Sequence, residues 1–248
     1  MKTITLYKND IHKGSLILVN KFFPIVRSED DILMRAIDDD NQDIYLESTT
    51  AAVLSHMFIT LNCQENIVPI SGYRSFKKQQ SIYEKSLRDN GREFTEKYVA
   101  LPNHSEHQTG LAVDLALKRD NIDFICPDFP YQGICNDFRN KAPLYGFIER
   151  YQKGKEEITG IGHEPWHFRY VGYPHSLIMN KYNLVLEEYI DLIRLYPYKR
   201  KHYLTYLYNQ AVEIFYVDTS YKSIELPEDA IHQISGNNVD GFIVTLWR

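Results

Sequence analysis

Hydrophobic positions recur along the first three quarters of the chain with the spacing of both helices and strands. Apolar residues three and four positions apart indicate amphipathic helices, which we place at Thr49–Leu61, at Phe76–Asp89, within Asn140–Tyr151 and at Leu184–Leu195. Short apolar runs bounded by turn residues indicate buried strands, which we place at Leu16–Val19, Asn66–Ser71, Leu111–Leu117 and Trp166–Val171. The second helix is expected to end at Asn90-Gly91, because glycine after a helical pattern is a typical stop.

The pattern changes at Pro197 and the basic run Lys199–Lys201. Beyond them the residues favour β-structure with Gly and Asn turns, and we expect strands at His202–Tyr208, Val212–Val217 and Phe242–Trp247. We therefore divide the chain into a main domain, residues 1–196, and a small β-rich module, residues 197–248. Alone, such a module buries little apolar surface, so we expect it to pack on the main domain or on a second copy in a homodimer.

One connection is unusually long. From Lys118 to Asp137 the chain contains Pro127, Pro130 and Gly133. Connections of this length are often lids or binding loops. We therefore expect it to cover a site and to select the length of the substrate.

Composition narrows the function classes. The chain has 248 residues with 28 Lys and Arg against 33 Asp and Glu, a formal charge of −5, so a nucleic acid is not an expected partner. The three cysteines do not make a disulfide framework and are expected to be free thiols in a reducing compartment. We expect no secretory signal and no membrane-inserted segment, because the longest N-terminal apolar run is Leu16–Val19. These features favour the cytoplasm.

Asp114 is the most informative polar residue, because it lies inside the apolar run Leu111–Leu117. An ionised carboxylate in a buried strand is very unfavourable unless it is paired or binds a metal. His107 precedes Gly110, where a sharp bend would bring the imidazole toward that carboxylate. Taken alone, Asp114 could point to solvent or pair with a distant arginine, and His107 could be an ordinary core or surface residue.

The stretch from His163 to His167 spells H-E-P-W-H. In helical zinc proteases the two histidines of H-E-x-x-H bind the metal and the glutamate is the base. We reject a helix here because Pro165 disfavours the helical conformation at Glu164 and removes a backbone donor. We instead predict that His167 is a ligand and Glu164 the base, on a turn entering a strand, with His163 only a neighbour.

Together these residues predict a catalytic zinc site of His107, Asp114 and His167. Three protein ligands would leave a fourth position for water, whose proton Glu164 would accept. Amide hydrolysis also needs a cation or donor for the developing oxyanion. Arg74, in the turn expected after the predicted strand Asn66–Ser71, is the candidate; its alternative role is a surface salt bridge.

Three stretches, SGYRS, SEHQTGLAVD and EPWHFRYVG, resemble in order and spacing the zinc D-alanyl-D-alanine peptidases of the VanX, VanY and VanXY group. The resemblance runs roughly from Leu16 to Arg194. It implies an α+β fold of the D,D-peptidase and Hedgehog-like kind, with a central antiparallel sheet and flanking helices. It also implies one zinc ion and these roles: ligands His107, Asp114 and His167, base Glu164, carbonyl-polarising Arg74, and substrate contacts Ser105 and Gln79.

The function implied by the resemblance is that of a metallopeptidase closest to the bifunctional VanXY type. Such an enzyme hydrolyses D-Ala–D-Ala in the free dipeptide or at the C-terminus of cytoplasmic UDP-MurNAc-pentapeptide, and thereby confers vancomycin resistance. Two alternatives stay open: a phage-type endolysin peptidase with residues 197–248 as a wall-binding module, and a non-enzymatic module that zinc stabilises. Glu164 and Arg74 argue against the second alternative, because a structural metal site needs neither.

Overall fold

The computed structural model describes residues 1–26, 28–38, 41–207 and 209–248, so Tyr208, the expected last residue of one strand, lies outside the described residues. In chain order, the strands are β1 (Lys2–Thr5), β2 (Met34–Ala36), β3 (Tyr45–Glu47), β4 (Ile67–Ser71), β5 (Ala112–Leu117), β6 (Phe147–Tyr151), β7 (Glu164–Tyr170), β8 (Tyr203–Leu207), β9 (Gln210–Asp218), β10 (Ser223–Leu226), β11 (Ile231–Gly236) and β12 (Gly241–Trp247). The α-helices are α1 (Ser48–Leu61), α2 (Phe76–Tyr98), α3 (Gly133–Lys141), α4 (Glu156–Thr159), α5 (His175–Tyr182) and α6 (Leu186–Arg194). Short 3-10 helices cover Lys8–His12, Glu29–Asp31, Glu106–Thr109 and Ala142–Tyr145.

The described residues form two compact units. The larger unit is Val19–Val185, and the smaller unit combines Met1–Leu18 with Leu186–Arg248. These units divide the chain differently from the expected domains 1–196 and 197–248. That functional division stays a prediction.

An antiparallel sheet with the strand order β4-β5-β7-β6 forms the centre of the larger unit. Helices α1 and α3 pack on it through a shared apolar cluster, in which the rings of Phe138 and Phe168 lie 5.3 Å apart and those of Phe58 and Phe138 lie 5.8 Å apart. The predicted α+β class with a central antiparallel sheet and flanking helices is thereby confirmed.

The predicted first helix forms for local reasons as well as through burial. The Glu47 carboxylate accepts a hydrogen bond from Thr50 N at 2.9 Å and caps the N-terminus of α1. Asn62 ends the helix in the left-handed conformation, with φ of 50°. One face, with Ala51, Leu54 and Phe58, is buried in the core.

The stop predicted at Asn90-Gly91 is confirmed as a break in the helical conformation, and a second helical segment follows it within α2. Gly91 has φ of 77° and breaks the helical conformation, but the chain resumes and continues to Tyr98. Thr95 bridges the break: its hydroxyl donates to Gly91 O at 2.8 Å and lies 2.7 Å from the Ser86 hydroxyl. These hydrogen bonds connect the two helical segments, so the predicted stop is a kink within one element.

One further expectation about secondary structure was wrong, whereas the helix expected within Asn140–Tyr151 is present but short. Leu16–Val19 is buried but is not a strand, since Leu16 N donates to the Ser235 hydroxyl and Leu18 N to Asn237 O rather than to a strand ladder. In Asn140–Tyr151 the helical part ends at Tyr145, and β6 follows a left-handed turn at Gly146. Apolar run length alone does not separate a buried strand from a helix or an extended loop.

The smaller unit is rich in strands. Its main sheet is antiparallel with the order β11-β12-β9-β8, and β1 pairs with β10. A separate apolar core, which includes Phe215, Val217, Phe242 and Val244, holds it together. Of the described helices in either unit, none combines the length and apolar character that crossing a bilayer requires.

Candidate active site

Three neighbouring strands place Ser71, Asp114 and His167 in one row across the central sheet. In the register of β4, β5 and β7, Ser71 lies opposite Asp114, and Asp114 lies opposite His167. Residues opposite each other in adjacent strands project to the same face of a sheet. The pleat therefore brings Asp114 and His167 together although 53 positions separate them in sequence.

His107 reaches the same point from the 3-10 helix Glu106–Thr109. That helix ends at Gly110, which has φ of 71°. A Cβ atom at Gly110 would lie 2.7 Å from Glu47 N, so the bend requires glycine for both its conformation and its space. The predicted sharp bend before β5 is confirmed.

The three predicted ligands converge. His107 Nε2 lies 3.1 Å from Asp114 Oδ2, and His167 Nδ1 lies 3.1 Å from Asp114 Oδ1. All three residues are buried, and one donor atom from each lies within 4.8 Å of the others. Two imidazole nitrogens and a carboxylate oxygen are the ligand types that zinc prefers, so this donor set fits a zinc ion.

The hydrogen bonding of His107 leaves its Nε2 atom available as a metal ligand. His107 Nδ1 lies 2.7 Å from Gly72 O, and a carbonyl oxygen can only accept, so Nδ1 carries the proton. Burial lowers the pKa of His107 to about 4, and the Arg74 charge acts in the same direction. The neutral ring therefore presents the Nε2 lone pair to the cluster, as metal ligation requires.

The cluster attracts positive charge. Although burial alone would raise the pKa of Asp114, the two histidines and Arg74 hold it well below its ordinary value of 3.8. Burial alone would lower the pKa of His167, but hydrogen bonds to Asp114 and Glu106 raise it to about 9. Carboxylates thus surround the His167 ring and favour a cation there, which a divalent metal would supply.

Glu164 is the first residue of β7 and lies beside the cluster. Its side chain is buried, with Oε2 at 3.7 Å from His167 Nδ1. Burial raises the pKa of Glu164 to about 8, the Asp114 charge adds to the rise, and His167 opposes it. A carboxyl group with a pKa near neutrality both accepts and releases a proton readily.

His163 lies outside the cluster, as predicted. Glu164–Tyr170 is a strand, so the two histidines of H-E-P-W-H do not share a helical face. His163 Nε2 lies 2.8 Å from the Tyr131 hydroxyl and 3.7 Å from Glu149 Oε1. The helical zinc-protease arrangement is therefore excluded.

Arg74 also reaches the site. Its Nε donates to the Ser71 hydroxyl at 2.9 Å, and one terminal nitrogen donates to Asp114 Oδ2 at 2.7 Å. Its side chain is 17% exposed, so it is not the surface salt bridge that was its alternative. These bonds engage two of the five N–H donors of the guanidinium.

The two expected substrate contacts are buried, and their roles stay predictions. Ser105 directly precedes the 3-10 helix that carries His107, and its carbonyl oxygen accepts from Gln108 N at 3.1 Å. Gln79, on α2, donates from Nε2 to Ala100 O at 2.8 Å. Among the described residues, Gln79 Oε1 is one of the few buried side-chain atoms without a hydrogen-bond partner.

Sequence reasoning missed a buried ionic group behind His167. Glu106 Oε1 accepts from Arg150 Nε at 2.7 Å and from an Arg169 terminal nitrogen at 2.8 Å, and all three side chains are fully buried. The Tyr151 ring packs 4.8 Å from the His167 ring. No sequence signal identified these residues, since the only clue, the position of Glu106 next to His107, does not predict a partner.

The long connection lies within electrostatic reach of Glu164. Burial raises the pKa of Cys126 in this connection, and the charges of Asp123 and Glu164 add to the rise. Hydrogen bonds from Arg139 link the later part of the connection to β7. Arg139 donates to the carbonyl oxygens of Phe129 and Pro130 in the connection and to that of Pro165 on β7. Its role as a lid that selects substrate length stays a prediction.

Comparison with known proteins agrees with this geometry. Residues 43–173 match the model of the VanY family, D-alanyl-D-alanine carboxypeptidase. The chain belongs to this family. Over 181 residues, 73% of this chain and 95% of the relative, it is 39% identical to the bifunctional D-Ala-D-Ala dipeptidase and carboxypeptidase VanXYC of Enterococcus gallinarum. It is also 32% identical, over 99% of this chain and 78% of the relative, to a D-alanyl-D-alanine carboxypeptidase of Enterococcus faecium.

Solved structures of VanY-family peptidases extend the likeness to the fold. The crystal structure of the vancomycin resistance D,D-dipeptidase VanXYg in complex with a D-Ala-D-Ala phosphinate analogue has a TM-score of 0.95 and 51% identity, covering 100% of this chain and 99% of that chain. VanY from the VanB-type resistance cassette, solved with Zn(II), has a TM-score of 0.57 and 30% identity, covering 71% of this chain and 98% of that chain.

Proposed function

We propose that this protein is a zinc-dependent D,D-peptidase that hydrolyses the D-Ala–D-Ala bond. The observation that carries the proposal is the convergence of His107, Asp114 and His167 on one point beside Glu164 and Arg74. The match to a D,D-dipeptidase bound to a D-Ala-D-Ala analogue supports the substrate class. We propose one zinc ion, held by His107 Nε2, Asp114 and His167 Nδ1.

Zinc, when bound, supplies a Lewis acid that lowers the pKa of a water molecule and polarises a carbonyl group. Glu164 performs the proton transfers. It accepts a proton from the attacking water as the water oxygen bonds to the scissile carbonyl carbon. As the C–N bond breaks, Glu164 returns that proton to the leaving amine. Burial raises the pKa of Glu164 above its ordinary value of 4.5, which makes its carboxylate a stronger base than an exposed glutamate.

Arg74 stabilises the negative charge that develops on the carbonyl oxygen. Its guanidinium is oriented by Ser71 and Asp114 and keeps further N–H donors for the substrate. Donors that are oriented before the reaction need no reorganisation in the transition state. We assign substrate contacts to Ser105 and Gln79, of which the buried Gln79 Oε1 offers an acceptor to a substrate donor.

We propose that the substrates are the free dipeptide and the C-terminus of UDP-MurNAc-pentapeptide, as the likeness to a bifunctional dipeptidase and carboxypeptidase suggests. Their removal would confer resistance to vancomycin-type glycopeptides. The three free cysteines support a cytoplasmic location. The catalytic residues all lie within the expected domain 1–196, and a homodimer stays a prediction that light scattering tests.

The test uses the purified 248-residue chain with zinc. We expect release of D-alanine from D-Ala-D-Ala and from UDP-MurNAc-pentapeptide, and none from L-Ala-L-Ala. Glu164→Ala is expected to retain zinc and to lose about 10²–10⁴-fold in kcat, since it removes the base but no ligand. Cleavage of intact cell walls without dipeptide turnover, or near-normal turnover by Glu164→Ala, would contradict the proposal.

A further inference from the structure

A fully buried carboxylate lies behind the ring of His167. The side chain of Glu106 has no exposed surface, and neither do the side chains of its partners Arg150 and Arg169. The three residues come from different elements: the 3-10 helix that carries His107, then β6 and β7. A buried carboxylate stays ionised only when it is paired, and two guanidinium groups provide that pairing through Glu106 Oε1.

The other oxygen of this carboxylate faces the ligand ring. Glu106 Oε2 lies 3.4 Å from His167 Nε2, while His167 Nδ1 faces Asp114 on the opposite side of the ring. An ionised carboxylate can only accept hydrogen bonds. His167 Nε2 must therefore carry a proton. Nδ1 also faces a carboxylate, but that carboxylate is the proposed ligand Asp114, so Nδ1 is the nitrogen whose proton a metal ion would replace.

We propose that Glu106 is a positioning residue that keeps the proton of His167 on Nε2 and so presents Nδ1 to zinc. This inference rests on the proposed zinc site. Each ligand histidine then has a hydrogen-bond acceptor for the ring nitrogen that does not bind zinc. Gly72 O accepts from His107 Nδ1, and Glu106 accepts from His167 Nε2. Acceptors of this kind fix the orientation and tautomer of metal-bound histidines.

The arginine pair explains why the acceptor must be a carboxylate. Arg150 and Arg169 can only donate, so in Glu106→Gln the amide oxygen would occupy the position of Oε1. The amide NH₂ would then face His167 Nε2 and donate to it. The ring would have to carry its proton on Nδ1, the atom that zinc needs free.

The variant test measures zinc affinity by competition with a chelator. For Glu106→Gln we expect a 10- to 100-fold weaker zinc affinity than for the wild type. Glu149→Gln is the matched control, because Glu149 is also a nearly buried carboxylate, on β6, paired with one arginine, Arg139. That control is expected to bind zinc as the wild type does. Equal zinc affinity in both variants and the wild type, or an equal loss in both, would overturn the inference.

A second measurement needs no variant and covers the case in which Glu106→Gln does not fold. Long-range ¹H–¹⁵N NMR of the zinc-loaded wild type is expected to find His167 protonated on Nε2 and metal-bound through Nδ1. Protonation on Nδ1 would overturn the inference. If the wild type binds no zinc at all, the proposed function fails instead, and the two failures are thus distinguished.

Discussion

Asp114 contacts three other residues of the proposed site. Its two carboxylate oxygens contact His107, His167 and Arg74, all at 2.7–3.1 Å. A carboxylate buried to this extent is tolerated only with such partners. Its position inside an apolar run therefore indicated function, whereas its partners came from three other parts of the chain.

The first prediction separates the two histidines of H-E-P-W-H. His167→Ala is expected to lose zinc, because it removes a ligand of the buried cluster. His163→Ala is expected to retain zinc, because His163 contacts Tyr131 and Glu149 instead. Metal content after dialysis measures both. Loss of zinc in His163→Ala with retention in His167→Ala would show that the assignment of His167 as a ligand is wrong.

At the scale of secondary structure, strand register and a bend in the chain bring the residues of the proposed site together. The β5–β7 pairing places Asp114 opposite His167, and the left-handed bend at Gly110 turns His107 toward both. Pro165 is compatible with β7 and incompatible with a helix interior, which is why the local sequence excluded the helical motif.

The second prediction concerns the left-handed bend at Gly110. Gly110→Ala is expected to destabilise the protein by more than the ~1–2 kcal/mol cost of a left-handed alanine, because its Cβ would also lie 2.7 Å from Glu47 N. Gly133→Ala is the matched control, since Gly133 has φ of 55° but no atom within 4 Å of an added Cβ. Urea unfolding measures both. An equal cost for the two variants would show that space at Gly110 is not limiting.

At the scale of the whole molecule, each compact unit contains segments that are distant in sequence. The smaller unit joins β1 to β10 across more than 200 positions, and the larger unit collects every proposed site residue. Local patterns identified most of the long elements, such as α1, β5 and α6. Among the elements that these patterns missed are β10 and β11, because a strand depends on its partner strands more than on its own sequence.

The third prediction concerns the pH dependence of global stability. Burial lowers the pKa of His175 to about 3 in the folded protein, below its ordinary value of 6.5. The unfolded state therefore binds more protons between these two values, and stability falls as the pH drops below 6.5. The slope is about 1.4 kcal/mol per pH unit for one proton.

Urea unfolding of the wild type and His175→Phe between pH 4 and 7 measures this contribution. The variant is expected to lack that part of the slope below pH 6.5, since it has no group to protonate there. Parallel curves for the two proteins would show that His175 does not contribute.

The amino-acid sequence by itself determined the ligand types, their order and the strand character of the segment after Pro165, because these depend on side-chain chemistry and local backbone preferences. Only the tertiary structure decided the continuation of α2 beyond Gly91, the loop conformation of Leu16–Val19, and the pairing of Glu106 with Arg150 and Arg169. The physical reason is that a buried charge needs a compensating partner, but nothing in a linear sequence specifies which distant residue the fold will bring to it.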